Sequence, residues 1–378
     1  MTPATPRHRR VRQAMTWVLA VLLPVLVIAG IAIETGTLGT EGLGIAAHPY
    51  RGPVTDHFDG SRFHTVPPTP RNTMGDLLRW QMHRTPDGWI DQPALVPDVP
   101  PRVDGSRMVV TFINHASVLI QHRGLNILAD PIYSEHAGPF GLFGPERHTP
   151  PGIAFDKLPR IDVIVLSHNH YDHFDMPTLK RLARRWPDAI VVSGLGNGAP
   201  LRAVGFHDVH EVDWWQQVPL RDDVAVTAVP MRHWTERMPW NVNATLWEGF
   251  VFTSPDGPFL FAGDTGAGGQ FMQIRQRFGP MRFAALPIGA YAPRWFMKRS
   301  HMSAEEAVDA AQALDAQSVL GIHFGTFRLT DEGQFDPPRL FEQTVRRRGL
   351  PLASFHALAP GGQWDVPLQA SGIARTVH

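Results

Sequence analysis

The sequence contains no cysteine among its 378 residues. Disulfide bonds are therefore excluded, and any metal site has to be built from histidine, aspartate and glutamate side chains. Charged residues make up only 19% of the chain, and 35 Lys and Arg balance 35 Asp and Glu. A net charge of zero argues against a nucleic-acid partner, because such binding depends on a basic surface. The hydrophobic fraction of 43% is typical of a globular chain with a large core.

One long apolar run, at 14–33, lies near the amino terminus and follows the basic segment Arg7-His-Arg-Arg-Val-Arg12. A run of about 20 residues can cross roughly 30 Å of hydrocarbon, and basic residues before it place that end in the cytoplasm. We therefore predict a basic terminus and transmembrane helix at 1–34, with the remaining chain on the non-cytoplasmic (periplasmic) side. A cleaved signal peptide is the alternative, because Gly30-Ile-Ala32 offers small residues near a cut. Arg9-Arg10 is a weak match to a twin-arginine export signal.

The rest of the chain divides into three parts by composition. Residues 35–105 are rich in Gly, Thr and Pro, so we predict a linker and amino-terminal extension that lifts the next domain off the membrane. A short amphipathic helix is predicted at 76–82, and we favour its packing on the domain over a position at the bilayer surface. Residues 106–368 form the predicted α/β (α+β) domain, with sheets between helices, and 369–378 form a tail.

Short apolar segments bounded by turn residues predict the strands of this domain. They lie at 108–113, 117–120, 125–130, 161–166, 189–193, 224–229, 247–253, 259–262, 283–287 and 318–322, and helices are predicted at 176–186, 303–314 and 338–348. The first three strands have the pattern of an antiparallel meander, and the first helix lies between two strands as in a βαβ unit. The long loop at 134–152 contains Phe140 and Phe143, which favours a lid or a substrate wall.

The most informative segment follows a predicted buried strand and reads Ser-His-Asn-His-Tyr-Asp-His from Ser167 to His173. Alternate side chains of an extended segment point the same way, so His168 and His170 can bind one ion while the next turn directs Asp172 and His173 toward a second. Imidazole and carboxylate suit zinc, and ligand type also allows iron or manganese. A polar loop in a chain with 19 histidines is the alternative, but such a crowded cluster is costly without a cation.

Three further candidate ligands come after other predicted strands. His233 follows the strand at 224–229, Asp264 lies in Ala-Gly-Asp-Thr-Gly, and His323 directly follows the strand at 318–322. Gly263 and Gly266 allow the backbone to turn tightly around a carboxylate that has to approach two cations. Each of these residues alone has an ordinary interpretation as a turn or edge residue, but the ordered set is far more specific.

Taken together, these motifs resemble the metallo-β-lactamase-fold hydrolases. Within that superfamily the chain resembles the N-acylphosphatidylethanolamine-hydrolysing phospholipases D, over roughly Phe112 to Phe327. The supporting segments are Asn114-His-Ala-Ser-Val-Leu-Ile120, Ala129-Asp-Pro131, Gly144-Pro-Glu-Arg147, Arg232-His-Trp234, Phe261-Ala-Gly-Asp-Thr-Gly266, Gly289-Ala-Tyr-Ala-Pro-Arg-Trp-Phe-Met-Lys298 with His301, and Ile322-His-Phe-Gly-Thr-Phe327.

The resemblance implies an αβ/βα four-layer sandwich and a site with two zinc ions. It assigns His168, His170 and His233 to one zinc, Asp172, His173 and His323 to the other, and Asp264 to a bridging position between them. Two ions about 3.5–4 Å apart share a water that they activate for in-line attack. The resemblance also makes Asp264 and His301 the catalytic residues, with His301 as proton donor to the leaving alcohol, and Tyr291 and Arg294 the groups that hold a phosphodiester.

The function implied is zinc-dependent hydrolysis of a phosphodiester in an N-acylphosphatidylethanolamine-like phospholipid. A lactonase resembling ascorbate-6-phosphate lactonase is the alternative enzyme, and a non-catalytic membrane scaffold that keeps metal for stability is the alternative from another class. The oligomeric state stays open, a homodimer included. Apolar side chains near the motifs are interpreted as core in preference to an acyl groove, namely Trp234, Trp240, Trp295, Phe296 and Met297.

Overall fold

The computed structural model describes residues 50–85 and 87–368. No helix in these two ranges combines the length and the apolar character that crossing a bilayer requires. The predicted transmembrane helix at 1–34 and the tail at 369–378 lie outside the described residues.

Fourteen strands and seven α-helices are described in these ranges. In chain order the strands are β1 (Met108–Asn114), β2 (Ser117–His122), β3 (Leu125–Ala129), β4 (Val163–Leu166), β5 (Ile190–Gly194), β6 (Val209–Val212), β7 (Gln217–Arg221), β8 (Val224–Val229), β9 (Gly249–Thr253), β10 (Phe259–Phe261), β11 (Phe283–Pro287), β12 (Val319–Ile322), β13 (Phe355–His356) and β14 (Gln363–Val366). The helices are α1 (Met74–Met82), α2 (Met176–Arg185), α3 (Gly198–Ala203), α4 (Gln270–Phe278), α5 (Arg294–Met297), α6 (Ala304–Ala313) and α7 (Asp336–Arg347).

The strands form two mixed sheets of seven strands each, in the orders β14-β1-β2-β3-β4-β5-β6 and β13-β12-β11-β10-β9-β8-β7. The predicted antiparallel meander is confirmed in β1, β2 and β3, and β4-α2-β5 is the predicted unit with parallel strands. Apolar side chains from the two sheets share one continuous core. On the outer face of the first sheet, α2 buries Leu179 and Leu182, each worth about 1.5–3 kcal/mol of burial. Helix α6 packs against β11 of the second sheet, which completes the helix–sheet–sheet–helix layering.

All four strands that the sequence patterns did not predict are edge strands. They are β6 and β14 in the first sheet and β7 and β13 in the second. An edge strand is half exposed, so it does not need the continuous apolar run by which a central strand is predicted. In β7, for example, only Val218 is buried, and Pro219 interrupts the segment.

The interpretation of the extension as a linker is wrong for the part that the structure describes. Phe58 and Phe63 are each only 1% exposed and belong to the core between the sheets. Their ring centroids lie 4.6 Å apart, and Tyr50 packs against both rings. The proline-rich composition predicted an extended spacer. Instead, the burial of three large aromatic rings stabilises the packing of this segment on the domain.

His57 holds this extension to the domain through two carboxylates. Its Nε2 donates to Asp213 (2.7 Å) and its Nδ1 donates to Asp56 (2.6 Å), while the ring stacks on Trp214 at 4.4 Å between centroids. Burial alone lowers the pKa of His57, but the hydrogen bonds to Asp213 and Asp56 outweigh burial and raise the pKa above its usual value. The imidazolium therefore stabilises the docked extension below the unfolded-state pKa of about 6.5, and this contribution is lost as the pH rises through the raised folded-state pKa.

We expect His57→Gln to destabilise the protein by about 1.5–3 kcal/mol at pH 6, where the charge-assisted hydrogen bonds are complete. The difference from the native protein should shrink toward pH 9. Thermal unfolding across this pH range measures both effects. His207→Gln is the control, because His207 also pairs with an aspartate but is 68% exposed. Equal pH dependence of the native protein and the His57 variant would contradict the role of the imidazolium.

Candidate metal centre

The structure brings all seven predicted metal ligands together where strands of the two sheets end. The segment 167–173 follows β4, Asp264 lies after β10, His323 directly follows β12, and His233 comes after β8. Of the four overlapping groups of candidate ligand atoms among the described residues, each spanning no more than 4.8 Å, two are considered as the ligand clusters: His168, His170 and His233 in the first, and His115, Asp172, His173 and His323 in the second. The grouping into two sets is the one that the resemblance implied, with His115 added to the second.

In the first cluster three imidazole nitrogens converge. His170 Nδ1 lies 2.9 Å from His168 Nε2 and 3.2 Å from His233 Nε2. These separations are close to the edge of about 3.3 Å in a tetrahedral site with zinc–nitrogen distances of about 2.0–2.1 Å. Burial lowers the pKa of His168, that of His170 to about 3 and that of His233 to about 4. The three rings are therefore neutral at pH 7, which is the form that binds a metal ion.

Asp264 lies between the two clusters. Its Oδ2 is 3.0 Å from His323 Nε2 and 3.3 Å from His173 Nε2 in the second cluster, and 3.8 Å from His233 Nε2 in the first. Burial alone raises the pKa of Asp264, but His323 and His173 beside it hold the pKa well below its usual range. An ionised carboxylate at this position is suited to the bridging role that the sequence predicted.

Buried atoms without partners provide an independent test of whether metal ions fit these residues. Within the described parts of the chain, the buried atoms His173 Nε2, His323 Nε2 and Asp264 Oδ1 make no hydrogen bond of good geometry, although the two nitrogens lie 3.3 and 3.0 Å from Asp264 Oδ2. Leaving a buried polar atom unsatisfied costs about 1–3 kcal/mol. Several such atoms aimed at one small volume are accounted for if they coordinate cations, so the donor set fits metal ions.

Hydrogen bonds to neighbouring groups determine which ring nitrogen of His173 and of His233 faces the metal site. His173 Nδ1 donates to Asp130 (2.7 Å) and His233 Nδ1 donates to the carbonyl of Ser300 (3.0 Å). The Nε2 atoms are therefore left to bind metal, as is usual where a ligand histidine has an outer partner. Asp130 also accepts hydrogen bonds from the backbone N–H and the hydroxyl of Ser167. The loop at 167–173 therefore fixes the carboxylate of Asp130, and this carboxylate in turn orients His173.

Sequence reasoning assigned no role to Asp130 or to His115. Asp130 follows β3 and His115 follows β1, in the same position relative to a strand as the predicted ligands, and that position was the available signal. His115 Nε2 donates to Asp172 Oδ2 at 2.9 Å and so orients that carboxylate. The backbone at His115 and at Asp130 is left-handed, with φ of 46° and 39°. Such conformations cost about 1–3 kcal/mol each and concentrate at functional sites.

A buried arginine and a glycine shape the loop that carries the ligands. Arg237 donates to the carbonyls of Asn169 and Phe174, both at 2.9 Å, and its guanidinium lies 4.1 Å from the ring centroid of Tyr171. It thereby fixes both ends of the metal loop. Gly263 has φ of 59°, and a Cβ there would lie 2.3 Å from the Cβ of Ser167, so the close approach of Asp264 to this loop requires glycine.

The clusters open into a cavity of ≈ 680 Å³. His301 lines it, with its side chain 13% exposed and Nδ1 3.8 Å from Asp264 Oδ2, so the structure brings this predicted catalytic residue to the site. Trp234, Phe296 and Met297 also line the cavity, whereas Trp240 and Trp295 do not. The interpretation of this group as core is confirmed for Met297, which is buried, and is wrong for Trp295, which is 41% exposed; Trp234 and Phe296 are partly buried and face the cavity.

Tyr291 and Arg294, the predicted phosphodiester ligands, do not line this cavity. Arg294 makes a bidentate ion pair with Glu306 (2.8 and 3.0 Å) and donates to the carbonyl of His301 (3.0 Å). Glu306 forms the capping box of α6 with Ser303, and it also pairs with the guanidinium that we expected to hold phosphate. Arg294 thus positions His301, and Tyr291 lies beside Glu332, away from the ligands.

The long loop at 134–152 contributes little to the cavity. Only Ala137 from this loop lines it, while Phe140 and Phe143 are 45% and 61% exposed. The predicted role of these two aromatic side chains as a substrate wall is therefore not supported. Residues 64–80 of the amino-terminal extension form that wall instead.

Comparison with known proteins places this site in a family. Residues 125–324 match the family described as "Beta-lactamase superfamily domain". The chain is 32% identical over 271 residues to N-acyl-phosphatidylethanolamine-hydrolyzing phospholipase D 1 of Caenorhabditis elegans, over 69% of this chain and 76% of that protein. It is 33% identical over 256 residues to the mitochondrial N-acyl-phosphatidylethanolamine-hydrolyzing phospholipase D of Saccharomyces cerevisiae, over 65% of this chain and 54% of the yeast protein.

The fold is similar to that of Igni18, a metallo hydrolase from the archaeon Ignicoccus hospitalis. The TM-score is 0.52 at 19% identity, over 70% of this chain and 100% of that one. The family match covers more than half of the chain, and its residues include every ligand of the two clusters except His115. The chain therefore belongs to the metallo-β-lactamase superfamily and is a metal-dependent hydrolase.

Proposed function

We propose that this hydrolase binds two zinc ions and cleaves the phosphodiester of an N-acylphosphatidylethanolamine-like phospholipid, as a phospholipase D does. The observation that carries the proposal is the position of both ligand clusters in the wall of one large cavity whose other walls are mostly apolar. The apolar side chains include Met74, Leu77, Trp80, Phe296 and Leu329. The names of the worm and yeast relatives support the same substrate class.

The two parts of the cavity suit the two parts of such a lipid. A volume of ≈ 680 Å³ lies within the range of about 300–1,000 Å³ typical of small-molecule sites, so it accommodates a headgroup and part of one acyl chain. Apolar walls favour the acyl chain through burial of its surface. The phosphate, in contrast, has to lie at the ligand clusters, where the cations compensate its charge.

The chain's own residues have distinct tasks in this reaction. His168, His170 and His233 would hold one ion, Asp172, His173 and His323 the other, and Asp264 would contact both. Two bound ions polarise a phosphoryl oxygen and lower the pKa of water to near neutrality. His301 lines the cavity beside Asp264; burial lowers the pKa of its ring, and the neutral ring donates an N–H hydrogen bond to the departing alcohol oxygen, whose proton comes from water. Arg294, bonded to the carbonyl of His301, keeps this donor in place.

The apolar run at 14–33 supports a membrane anchor for the same protein. The basic residues before it place the amino terminus in the cytoplasm and the hydrolase domain on the other side. Anchoring raises the local concentration of a lipid substrate at the cavity. Recovery of the full-length chain in the membrane fraction after a high-salt wash tests this proposal, and full recovery in the aqueous fraction would refute it.

Metal content and product analysis test the activity. The full-length chain, purified in detergent, is expected to contain about two zinc ions and to release phosphatidic acid from N-acylphosphatidylethanolamine. Chelation should abolish release, and added zinc should restore it. Bound zinc together with hydrolysis of a lactone and no cleavage of any phosphodiester would replace the proposal by the lactonase alternative.

A further inference from the structure

The amino-terminal extension closes one side of the cavity. Ten residues between His64 and Trp80 line it, among them Thr69, Pro70, Arg71 and Asn72. The family match begins only at residue 125. This wall is therefore a feature of the chain outside the family's matched residues, and any contact that it makes with substrate is additional to the metal chemistry.

Four hydrogen bonds hold the wall against the domain around residues 69–80. Arg232 donates to Thr69 Oγ1 (3.0 Å), Arg299 donates to the carbonyl of Pro70 (3.2 Å), Asn72 donates to the carbonyl of Phe296 (2.8 Å), and Trp80 Nε1 donates to Asp331 (2.8 Å). Three of these bonds hold residues on either side of position 71, through the hydroxyl of Thr69, the backbone carbonyl of Pro70 and the side chain of Asn72. The side chain at that position is thus presented to the cavity from a defined backbone position.

Arg71 is the residue at this position. Its guanidinium carbon lies 5.4 Å from the ring centroid of Trp234, and the Trp234 ring lies 4.6 Å from the ring centroid of His170 in the first ligand cluster. The ring of Trp234 thus contacts both the guanidinium of Arg71 and a histidine of the first cluster. Stacking on Trp234 orients the planar group while leaving its N–H donors available.

These donors are not used within the part of the chain that the structure describes. In the described ranges 50–85 and 87–368, Arg71 makes neither a hydrogen bond nor an ion pair, and Trp234 is its contact. The other two cavity-lining arginines differ, because Arg237 donates to the carbonyls of the metal loop and Arg299 to the carbonyl of Pro70. Among the cavity-lining arginines of the described residues, Arg71 is thus the one whose guanidinium makes no hydrogen bond to the protein, so all of its donors are available to a ligand.

The carboxylate of Glu236 lies near Arg71 and affects the electrostatic potential around its guanidinium. It is half buried and lines the same cavity, and burial raises the pKa of its carboxyl while the charge of Arg71 lowers it. No ion pair joins the two side chains. Glu236 therefore weakens the attraction of Arg71 for an anion without occupying its donors.

We propose that Arg71, presented by the docked extension and stacked on Trp234, binds the phosphate group of the substrate and so selects phosphodiesters over neutral esters. The proposal rests on the proposed function, because it assigns a residue to the recognition of the same phosphate. A planar guanidinium forms paired, charge-assisted hydrogen bonds with two phosphate oxygens. Arg71 takes the binding role that Arg294, paired with Glu306, does not perform.

Three variants of the full-length, zinc-loaded chain in detergent test the proposal. Arg71→Gln is expected to raise the Kd for inorganic phosphate, measured by calorimetry, about tenfold, and to raise KM for bis(4-nitrophenyl) phosphate by a similar factor with kcat little changed. Glu236→Gln is expected to lower the phosphate Kd about threefold, because a like charge is removed. Arg79→Gln is the control, since Arg79 lies on α1 over Trp295 and does not line the cavity.

An unchanged phosphate Kd in Arg71→Gln, or an equal weakening in Arg79→Gln, would overturn the role of Arg71. Phosphate that fails to bind the native protein would overturn it as well. Failure of the proposed function would give a different result. In that case the native protein would bind phosphate but would cleave no phosphodiester. Equal melting temperatures of the native protein and the three variants would show that the change in phosphate affinity does not result from loss of folding stability.

Discussion

Asp264→Asn is expected to lower kcat for phosphodiester cleavage by about 10³-fold or more and to reduce bound zinc below two ions per chain. Asp264 is the carboxylate that lies within 3.0–3.8 Å of histidine nitrogens from both clusters. Replacing one oxygen by an amide removes the negative charge that allows two cations to lie close together. Stabilisation of the transition state by the metals is worth several kcal/mol, and each 1.36 kcal/mol corresponds to a tenfold change in rate.

Metal analysis and steady-state kinetics on the same preparation measure both parts of this prediction. Asp188→Asn is the matched control, because Asp188 carries the same group but is 78% exposed at its side chain. Its metal content and kcat should equal those of the native protein. Full activity and two ions per chain in the Asp264 variant would exclude a bridging role for this carboxylate.

Asp130→Asn is expected to weaken zinc binding by about 10–100-fold, the usual cost of losing the outer partner of a ligand histidine. Asp130 is fully buried and accepts hydrogen bonds from His173 Nδ1 and from the backbone and hydroxyl of Ser167. The amide retains the shape but offers one acceptor oxygen in place of two. His173 then loses the partner that fixes its ring and directs Nε2 into the second cluster.

This defect should be reversible, in contrast to that of Asp264→Asn. Titration with zinc is expected to restore most of the activity of the Asp130 variant, because the ligand itself is still present. Asp162→Asn is the control, since Asp162 accepts from the backbone of Asn126 near the opposite end of β3 and contacts no ligand histidine. If Asp162→Asn weakened zinc binding as much as Asp130→Asn, general destabilisation of the sheet would explain both results.

That the predicted ligands cluster in space was predictable in part because four of them are local in the sequence. His168, His170, Asp172 and His173 lie within one loop after one strand, and a strand that ends in a polar loop is visible in the sequence. Asp264 and His323 were found by the same rule applied to other strands. The central strands were predicted for a related reason, since burial on both faces imposes continuous apolar segments. The edge strands lack this requirement.

Positions that depend on contacts between distant segments were not predictable. Tyr291 and Arg294 lie in a family-like segment, but the turn into α5 and the ion pair with Glu306 direct Arg294 away from the cavity. His115 and Asp130 follow strands as the predicted ligands do, but their role as partners of Asp172 and His173 depends on contacts that form only with the fold. The docking of Phe58 and Phe63 into the core likewise requires both sheets to be in place.

The sequence by itself determined the metal chemistry of this protein, because ligand type and order after the strands are properties of the chain. Tertiary structure decided which of the remaining polar groups serve that chemistry. Arg71 and Trp234 are more than 160 residues apart, and only the fold brings a guanidinium from the extension to within 5.4 Å of a ring beside the metal ligands. The role of a side chain in a cavity depends on its orientation. Packing against residues that are distant in the sequence determines this orientation, and residue spacing along the chain does not predict such contacts.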